Sequence, residues 1–189
     1  MPTPPLRLAG TDGLFRNSFQ INTFRRASRR RTIRATQEER MVAQTPEAVV
    51  IDIVSQLDEE TLIALADLLP QLSTTAETLT REVLEAVIDS PSTRLLTARL
   101  GGTIVGALTL VMYTIPTGLR ARIEDVVVDQ AARGHGIGRD LTNAALAIAK
   151  DHGARTVDLT STPKRSAANQ LYQRLGFAPR ESTTYRLTL

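Results

Sequence analysis

The amino-acid sequence predicts an α/β domain, with a mixed, mostly antiparallel sheet of about six or seven strands and helices on both faces. Three observations predict it. Two apolar runs meet at Gly101-Gly102, a pair that tolerates φ > 0 at both positions and so folds one strand back on the next. A β-branched run, Val126-Val127-Val128, leads through a glycine-dense turn into Leu141, Ala144, Ala145 and Ile148 at helical spacing. Beyond that turn, strand and helix patterns alternate, so later strands are separated by helices rather than paired by hairpins.

In chain order, Ala48 to Val54 reads as the first strand. Asp58 is placed to cap a helix, with Glu59 and Glu60 in its first turn and Leu62, Leu65, Ala66 and Leu69 on one face. Pro70 ends or kinks that helix near Leu69. Gln71 to Thr75 reads as a loop. A second helix is expected from about Leu79 to Asp89, burying Val83, Leu84, Val87 and Ile88, with Pro91 blocking its continuation. Thr93–Leu100 and Thr103–Tyr113 form the predicted hairpin. The loop Thr114–Gly118 precedes a strand over Arg122–Asp129. A helix then runs from about Gly138 to His152, with Gly153 as its stop. Thr156–Ser161 is the next strand, Ser166–Leu175 the next helix, and Thr183–Leu189 the last strand.

The glycine turn has the layout of a phosphate site, because glycines let backbone approach a bulky anion and the first N–H groups of a helix point at it. Its spacing excludes two common ligand loops. Gly134, Gly136 and Gly138 give G-x-G-x-G, whereas a dinucleotide fingerprint needs G-x-G-x-x-G and position 139 is Arg. The glycine-to-lysine step of a nucleotide-triphosphate loop is missing too. A ligand-free strand-to-helix turn is the remaining bland reading.

Arg133-x-x-Gly136-x-Gly138 resembles the [QR]-x-x-G-x-[GA] motif of the GCN5-related N-acetyltransferase (GNAT) superfamily, whose loop holds the pyrophosphate of coenzyme A. Ile123-Glu124-Asp125-Val126-Val127-Val128-Asp129 resembles that family's fourth strand. Asn169-Gln170-Leu171-Tyr172-Gln173-Arg174-Leu175-Gly176-Phe177 resembles its N-x-x-x-Y-x-x-x-G-F ending. The resemblance covers residues 47–189 approximately and implies the GNAT fold, acetyl-CoA as co-substrate and no metal.

Composition bounds the alternatives. The 189-residue chain suits one domain with a sizeable core. It has no cysteine, which removes disulfides, thiolate metal sites and a cysteine nucleophile. With only His135 and His152, neither a histidine-rich metal site nor a Ser-His-Asp arrangement is expected. No apolar run reaches the roughly 18 residues of a membrane span, so no membrane partner is expected. The net charge of +3 hides an asymmetry. Residues 1–37 hold eight arginines and one acid, Asp12, for +7, while residues 38–189 hold 15 basic and 19 acidic residues, for −4. The high pI therefore belongs to residues 1–45, and nucleic-acid binding is not expected of the domain over residues 46–189. That leader is arginine-rich and acid-poor, with the run Arg25-Arg26-Ala27-Ser28-Arg29-Arg30-Arg31. It reads as a transit peptide, a basic disordered arm, or an extension before a start at Met41. The expected location is cytoplasmic, or organellar if the leader is a transit peptide. A homodimer is left open.

Acetyl transfer to an amine needs a held cofactor, a deprotonated amine, a stabilised oxyanion and a protonated leaving thiolate. The resemblance implies that the backbone of Val126, Val127 and Val128 pairs with pantetheine like an added strand. The N–H groups of Arg133, Gly134, His135, Gly136, Ile137 and Gly138 would hold the pyrophosphate, with charge from Arg133 or Arg139. His135 faces solvent or phosphate and needs no chemical role. Arg139 and Asn169 also have plain readings, as a solvated first-turn residue and a helix-surface amide. The family likeness makes Asn169 a cofactor contact. Glu124 is the candidate base, directly or through water, at the mouth of the cofactor strand. Strand alternation puts Glu124 and Asp125 on opposite faces unless a bulge intervenes. Tyr172 is the candidate acid for the thiolate, since a phenol with a pKa near 10 carries its proton at neutral pH. Packing alone is its alternative, and Phe177 reads as core.

The expected function is thus acetyl-CoA-dependent N-acetyl transfer to a primary amine of a small molecule. Acetylation of a protein or peptide is the alternative within the class. A non-catalytic acyl-CoA-binding module would keep Arg133–Gly138 but need neither Glu124 nor Tyr172. Nucleic-acid binding through the leader would survive loss of every motif.

Overall fold

A computed structural model describes residues 48–72 and 78–188. The leader and residues 73–75 of the predicted loop lie outside the described residues.

Among the described residues, five strands form one sheet in the order β1-β2-β3-β4-β5. These are β1 (Val50–Ile53), β2 (Thr93–Leu100), β3 (Thr103–Ile115), β4 (Gly118–Val128) and β5 (Val157–Leu159). The first three pairings are antiparallel, and β4 pairs with β5 in parallel. Four helices accompany them: α1 (Glu59–Leu68), α2 (Arg81–Asp89), α3 (Ile137–Asp151) and α4 (Ser166–Arg174).

The starts of α1 and α2 follow local chemistry. Asp58 caps α1 by accepting the Thr61 N–H at 2.8 Å. Thr80 does the same for α2 through Val83 N–H at 3.4 Å. Pro70 falls in a 3-10 turn, Leu69–Gln71, that finishes α1 rather than breaking it. At the far end of α3, Gly153 adopts φ 80°, and Ala154 N–H reaches Ala149 O at 2.9 Å.

Two apolar clusters sandwich the sheet. On one face α3 contributes Ile137, Leu141, Ala145 and Ala149 against Leu96, Leu108, Leu110, Ala121 and Ile123. On the other, Leu65 and Leu68 of α1 and Leu84 of α2 pack on Leu95, Ile104, Ala107 and Val127. The faces of α1 and α2 differ from the expected ones. Thr61, Leu65 and Leu68 are the buried line of α1, and Ala66 is exposed. In α2 only Leu84 is buried, and Val83 is exposed. Both helices lie on the sheet through a narrow stripe, so part of each apolar pattern stays outside.

Three strand expectations are corrected. The predicted Thr114–Gly118 loop is a tight turn, because β3 runs through Ile115 and β4 begins at Gly118 with Ile115↔Gly118 paired. Arg155 holds that turn by donating to the Thr117 carbonyl at 2.6 Å. Strand β5 stops at Leu159 instead of Ser161. Thr183 to Thr188 form no strand and are exposed, with Tyr185 at 90%. Alternation needs a paired edge and a buried face to become a strand, and this segment has neither. Among the described residues the sheet therefore has five strands, close to the six or seven expected, and it is mostly antiparallel with helices on both faces as the sequence predicts.

Candidate active site

Strand β4 carries the site. Its pairing with β3 skips a residue: Ala107 faces Val127, but Thr109 faces Glu124. Leu108 alone therefore opposes Asp125 and Val126, a β-bulge in β4. Asp125 takes φ 52°, the only positive φ outside glycine among the described residues. The bulge reverses the phase of the strand. Ala121 and Ile123 pack on the α3 side, whereas Val127 packs on the α1/α2 side. Val126 and Val128 now edge the α3-side core. The bulge also brings both Glu124 and Asp125 to the wall of one cleft.

On its other edge β4 pairs with β5 only over Ala121, Arg122 and Ile123. From Glu124 to Val128 that edge has no strand partner among the described residues, which leaves backbone donors and acceptors of the kind an extended ligand can pair with. Arg133 already takes one of them, donating from Nε to the Val128 carbonyl at 3.3 Å.

The glycine turn lies beside this free edge. Gly134 and Gly136 adopt φ 88° and 79°, and Gly136 forms the left-handed N-cap of α3 without a side-chain cap. Asp140 N–H closes the first turn on Gly136 O at 3.0 Å. The N–H groups from Gly134 to Arg139 find no backbone acceptor among the described residues. A bare run of amides at a helix N-terminus is an anion cradle. Around it, His135 donates from Nδ1 to the Ala132 carbonyl at 3.1 Å, which closes the turn rather than serving a ligand. Arg139 donates from Nε to Asp140 at 2.9 Å, and its guanidinium lies over Gly136. Gly138 has a packing role as well: a Cβ there would sit 3.3 Å from Leu171 of α4.

Two clefts open along the splayed edge. One, of about 540 Å³, is lined by Val126, Val127 and Val128, by the turn residues Arg133, Gly134, Gly136, Ile137, Gly138 and Arg139, and by the start of α4. The second, of about 490 Å³, is lined by Glu124 and Asp125, by the exit of β5 from Leu159 to Thr162, and by Arg186. They share Leu72, Val126, Arg165 and Tyr172. Tyr172 thus stands where the two meet. Its ring packs edge-on against Phe177 with centroids 5.8 Å apart. Burial pushes its phenol above the ordinary value, against a smaller opposing pull from the Arg165 charge. The hydroxyl is accordingly protonated at neutral pH.

Glu124 is ion-paired through Oε1 with Arg122, whose guanidinium also donates to Thr160 Oγ1 at 3.2 Å. Its second oxygen is the one left for a proton. Asp125 is exposed overall, yet desolvation of its carboxyl and the neighbouring Glu124 charge both raise its pKa. Asn169 lies apart from both clefts. Its amide donates to the Thr162 carbonyl at 3.0 Å and ties α4 to the exit of β5.

Sequence reasoning missed several residues. Gln71 donates to Asp129 at 3.2 Å and accepts from Gln130 N–H at 3.1 Å. Arg165 donates to the Leu72 carbonyl at 2.7 Å. Together they fasten the end of the α1 arm to both rims of the first cleft. Ser161 has a buried hydroxyl with no hydrogen-bond partner among the described residues. None of these carries a motif; Arg165 and Ser161 are brought in by the splay of β4 from β5, and Gln71 by the 3-10 turn that finishes α1. The Thr114–Gly118 turn lines neither cleft.

Comparison with known proteins decides the family. Residues 58–177, more than half of the chain, match the Acetyltransferase (GNAT) family. The chain belongs to the GNAT family. An uncharacterized N-acetyltransferase of Methanocaldococcus jannaschii is 41% identical over 61 residues, covering 32% of this chain and 27% of that protein. N-alpha-acetyltransferase 30 of Schizosaccharomyces pombe is 37% identical over 73 residues, covering 39% of this chain and 48% of that protein. The chain thus spans half or less of the curated relatives it matches. An aminoglycoside acetyltransferase structure from an uncultured soil metagenomic sample superposes with a TM-score of 0.67 at 21% identity, over 75% of this chain and 96% of that one. That likeness shows the GNAT fold. The bulge, the free edge and the amide cradle are how this GNAT chain builds its cleft.

Proposed function

We propose that this GNAT protein is an acetyl-CoA-dependent N-acetyltransferase acting on the primary amine of a small molecule. The observation that carries the reading is a free strand edge, Glu124–Val128, running directly into an amide cradle, Gly134–Arg139. The two fit a ligand with an extended amide-bearing arm and a pyrophosphate, as coenzyme A has. When bound, acetyl-CoA supplies an activated thioester carbonyl and a thiolate leaving group.

The chain's own groups do the rest. Backbone of Val126 to Val128 orients the arm, and the cradle with Arg139 meets the pyrophosphate charge. Glu124, at its second oxygen, takes a proton from the amine directly or through a water. Tyr172 holds a proton at its hydroxyl between the two clefts and gives it to the leaving sulfur. In balance, the amine nitrogen gains the acetyl carbon and the carbon–sulfur bond breaks. One ammonium proton ends on sulfur and another in solvent. A peptide amino terminus is the second reading, favoured by the segment similar to N-alpha-acetyltransferase 30.

Calorimetric titration with acetyl-CoA, followed by thiol release against panels of small amines and peptides, tests the reading. Saturable binding and amine-dependent release are expected. A folded protein that binds no acetyl-CoA, or whose thiol release ignores every amine, removes it.

A further inference from the structure

The second cleft has an unusual charge layout for a site that receives an amine. Glu124 and Asp125 stand on the β4 wall, and Arg165 and Arg186 on the others. Glu124 is engaged at one oxygen by Arg122, which is not itself in the lining, so its second oxygen and the Asp125 carboxylate are left for an incoming ammonium. Arg165 is held in place by the Leu72 carbonyl at 2.7 Å, which uses one of its five N–H donors. Arg186 belongs to this cleft alone and has no part in the cofactor cleft. In the same lining Ser161 keeps a buried hydroxyl without a partner among the described residues, and a buried polar atom of this kind is costly unless a ligand completes it.

From this arrangement we infer that the acceptor is a zwitterion: a primary amine with an anionic group, carboxylate or phosphate, a few bonds away. The inference rests on the acetyl-transfer reading above and names its substrate class. The ammonium end meets Asp125 and Glu124. The anionic end meets Arg165 and Arg186 and takes the Ser161 hydroxyl as a donor. A guanidinium matches either oxyanion through paired N–H groups, so both sources share one chemistry. An acceptor with several ammonium groups would press its extra charges on the two arginines. A peptide amino terminus offers an anion close to its amine only where its first residues are Asp or Glu. Those two classes are therefore disfavoured.

The test measures kcat/KM for thiol release from acetyl-CoA with matched acceptors. Each of the common α-amino acids is paired with its carboxamide, and glucosamine 6-phosphate with glucosamine. Spermidine, an aminoglycoside and short peptide amides complete the panel. At least one anionic member should be turned over about tenfold better than its neutral partner, or more. The pair that responds tells carboxylate from phosphate. Arg186→Gln should bring that ratio close to one by raising KM, with acetyl-CoA affinity unchanged in calorimetry, and Arg186→Lys should restore part of it. Because Arg186 is exposed, these variants fold. Turnover of spermidine, aminoglycoside or peptide alone overturns the inference and leaves acetyl transfer standing. So does a ratio that Arg186→Gln does not move. Loss of acetyl-CoA binding in the folded parent, or intact binding with no acceptor used, instead removes the acetyl-transfer reading itself, and the inference with it.

Discussion

The two halves of β4 invite comparison, since one strand does two jobs. From Gly118 to Ile123 it is structural: β3 pairs with it throughout, β5 joins over Ala121–Ile123, and Ala121 and Ile123 are buried. From Glu124 to Val128 it keeps β3 but loses β5. The side chains barely announce the change, since Ile123 and Val127 are buried alike. What differs is the backbone. In the first half β5 completes the pairing, and in the second that edge has no strand partner among the described residues. The bulge at Asp125 lies at the junction, where it lets the strand change partners without losing its place in the sheet.

Four variants sharpen or break that contrast. The largest effect is expected in the paired half. Ile123→Ala empties a fully buried position and should cost about 2–5 kcal/mol in urea unfolding. Acetyl-CoA affinity of the folded fraction should hold. Weaker binding with unchanged stability would show that the two halves are not separable.

Next is Tyr172→Phe, which keeps the ring on Phe177 and removes one oxygen. Single-turnover transfer should fall about 100-fold, or roughly 2.7 kcal/mol, with cofactor affinity intact. A loss within about twofold makes Tyr172 a packing residue only.

Gly136→Val comes third. Its φ of 79° strains any branched side chain, though the nearest atoms to a new Cβ belong to the Arg139 guanidinium, which can swing away. Acetyl-CoA binding should weaken about tenfold, or roughly 1.4 kcal/mol, with a small drop in Tm and no unfolding. Unchanged affinity in calorimetry places the anion elsewhere.

Smallest is Asp125→Asn. The folded state raises this carboxyl's pKa, so it binds the proton more tightly than the unfolded chain does. The parent therefore loses a little stability as pH rises from the ordinary carboxylate value, 3.8, through the raised one. The variant should melt slightly higher at neutral pH, and the gain should vanish in acid below that range. A gain that persists in acid would assign the effect to the strained backbone instead.

Much of this was legible in the sequence because it is encoded locally. Gly101-Gly102 makes its turn with both φ positive, and Asp58 caps its helix within three residues. The Gly134–Gly138 turn also announces itself by spacing alone. What was not legible depends on partners distant in the chain. The bulge exists because Leu108 on β3 faces two residues of β4, and alternation within β4 cannot say so. Arg165 and Ser161 enter the cleft only because β5 leaves β4 after Leu159. The tail from Thr183 alternates like a strand but finds no edge, so its pattern predicted an element that is not there.

The seam between the clefts has a consequence for how such a chain can diverge. Among the described residues, only Leu72, Val126, Arg165 and Tyr172 belong to both cavities. Replacement of Ser161, Thr162 or Arg186 rewrites one cavity and spares the other, whereas a change at any shared position is felt in both. Descendants of this chain can therefore reshape the second cavity through the tail and the exit of β5 while the lining of the first is inherited unaltered.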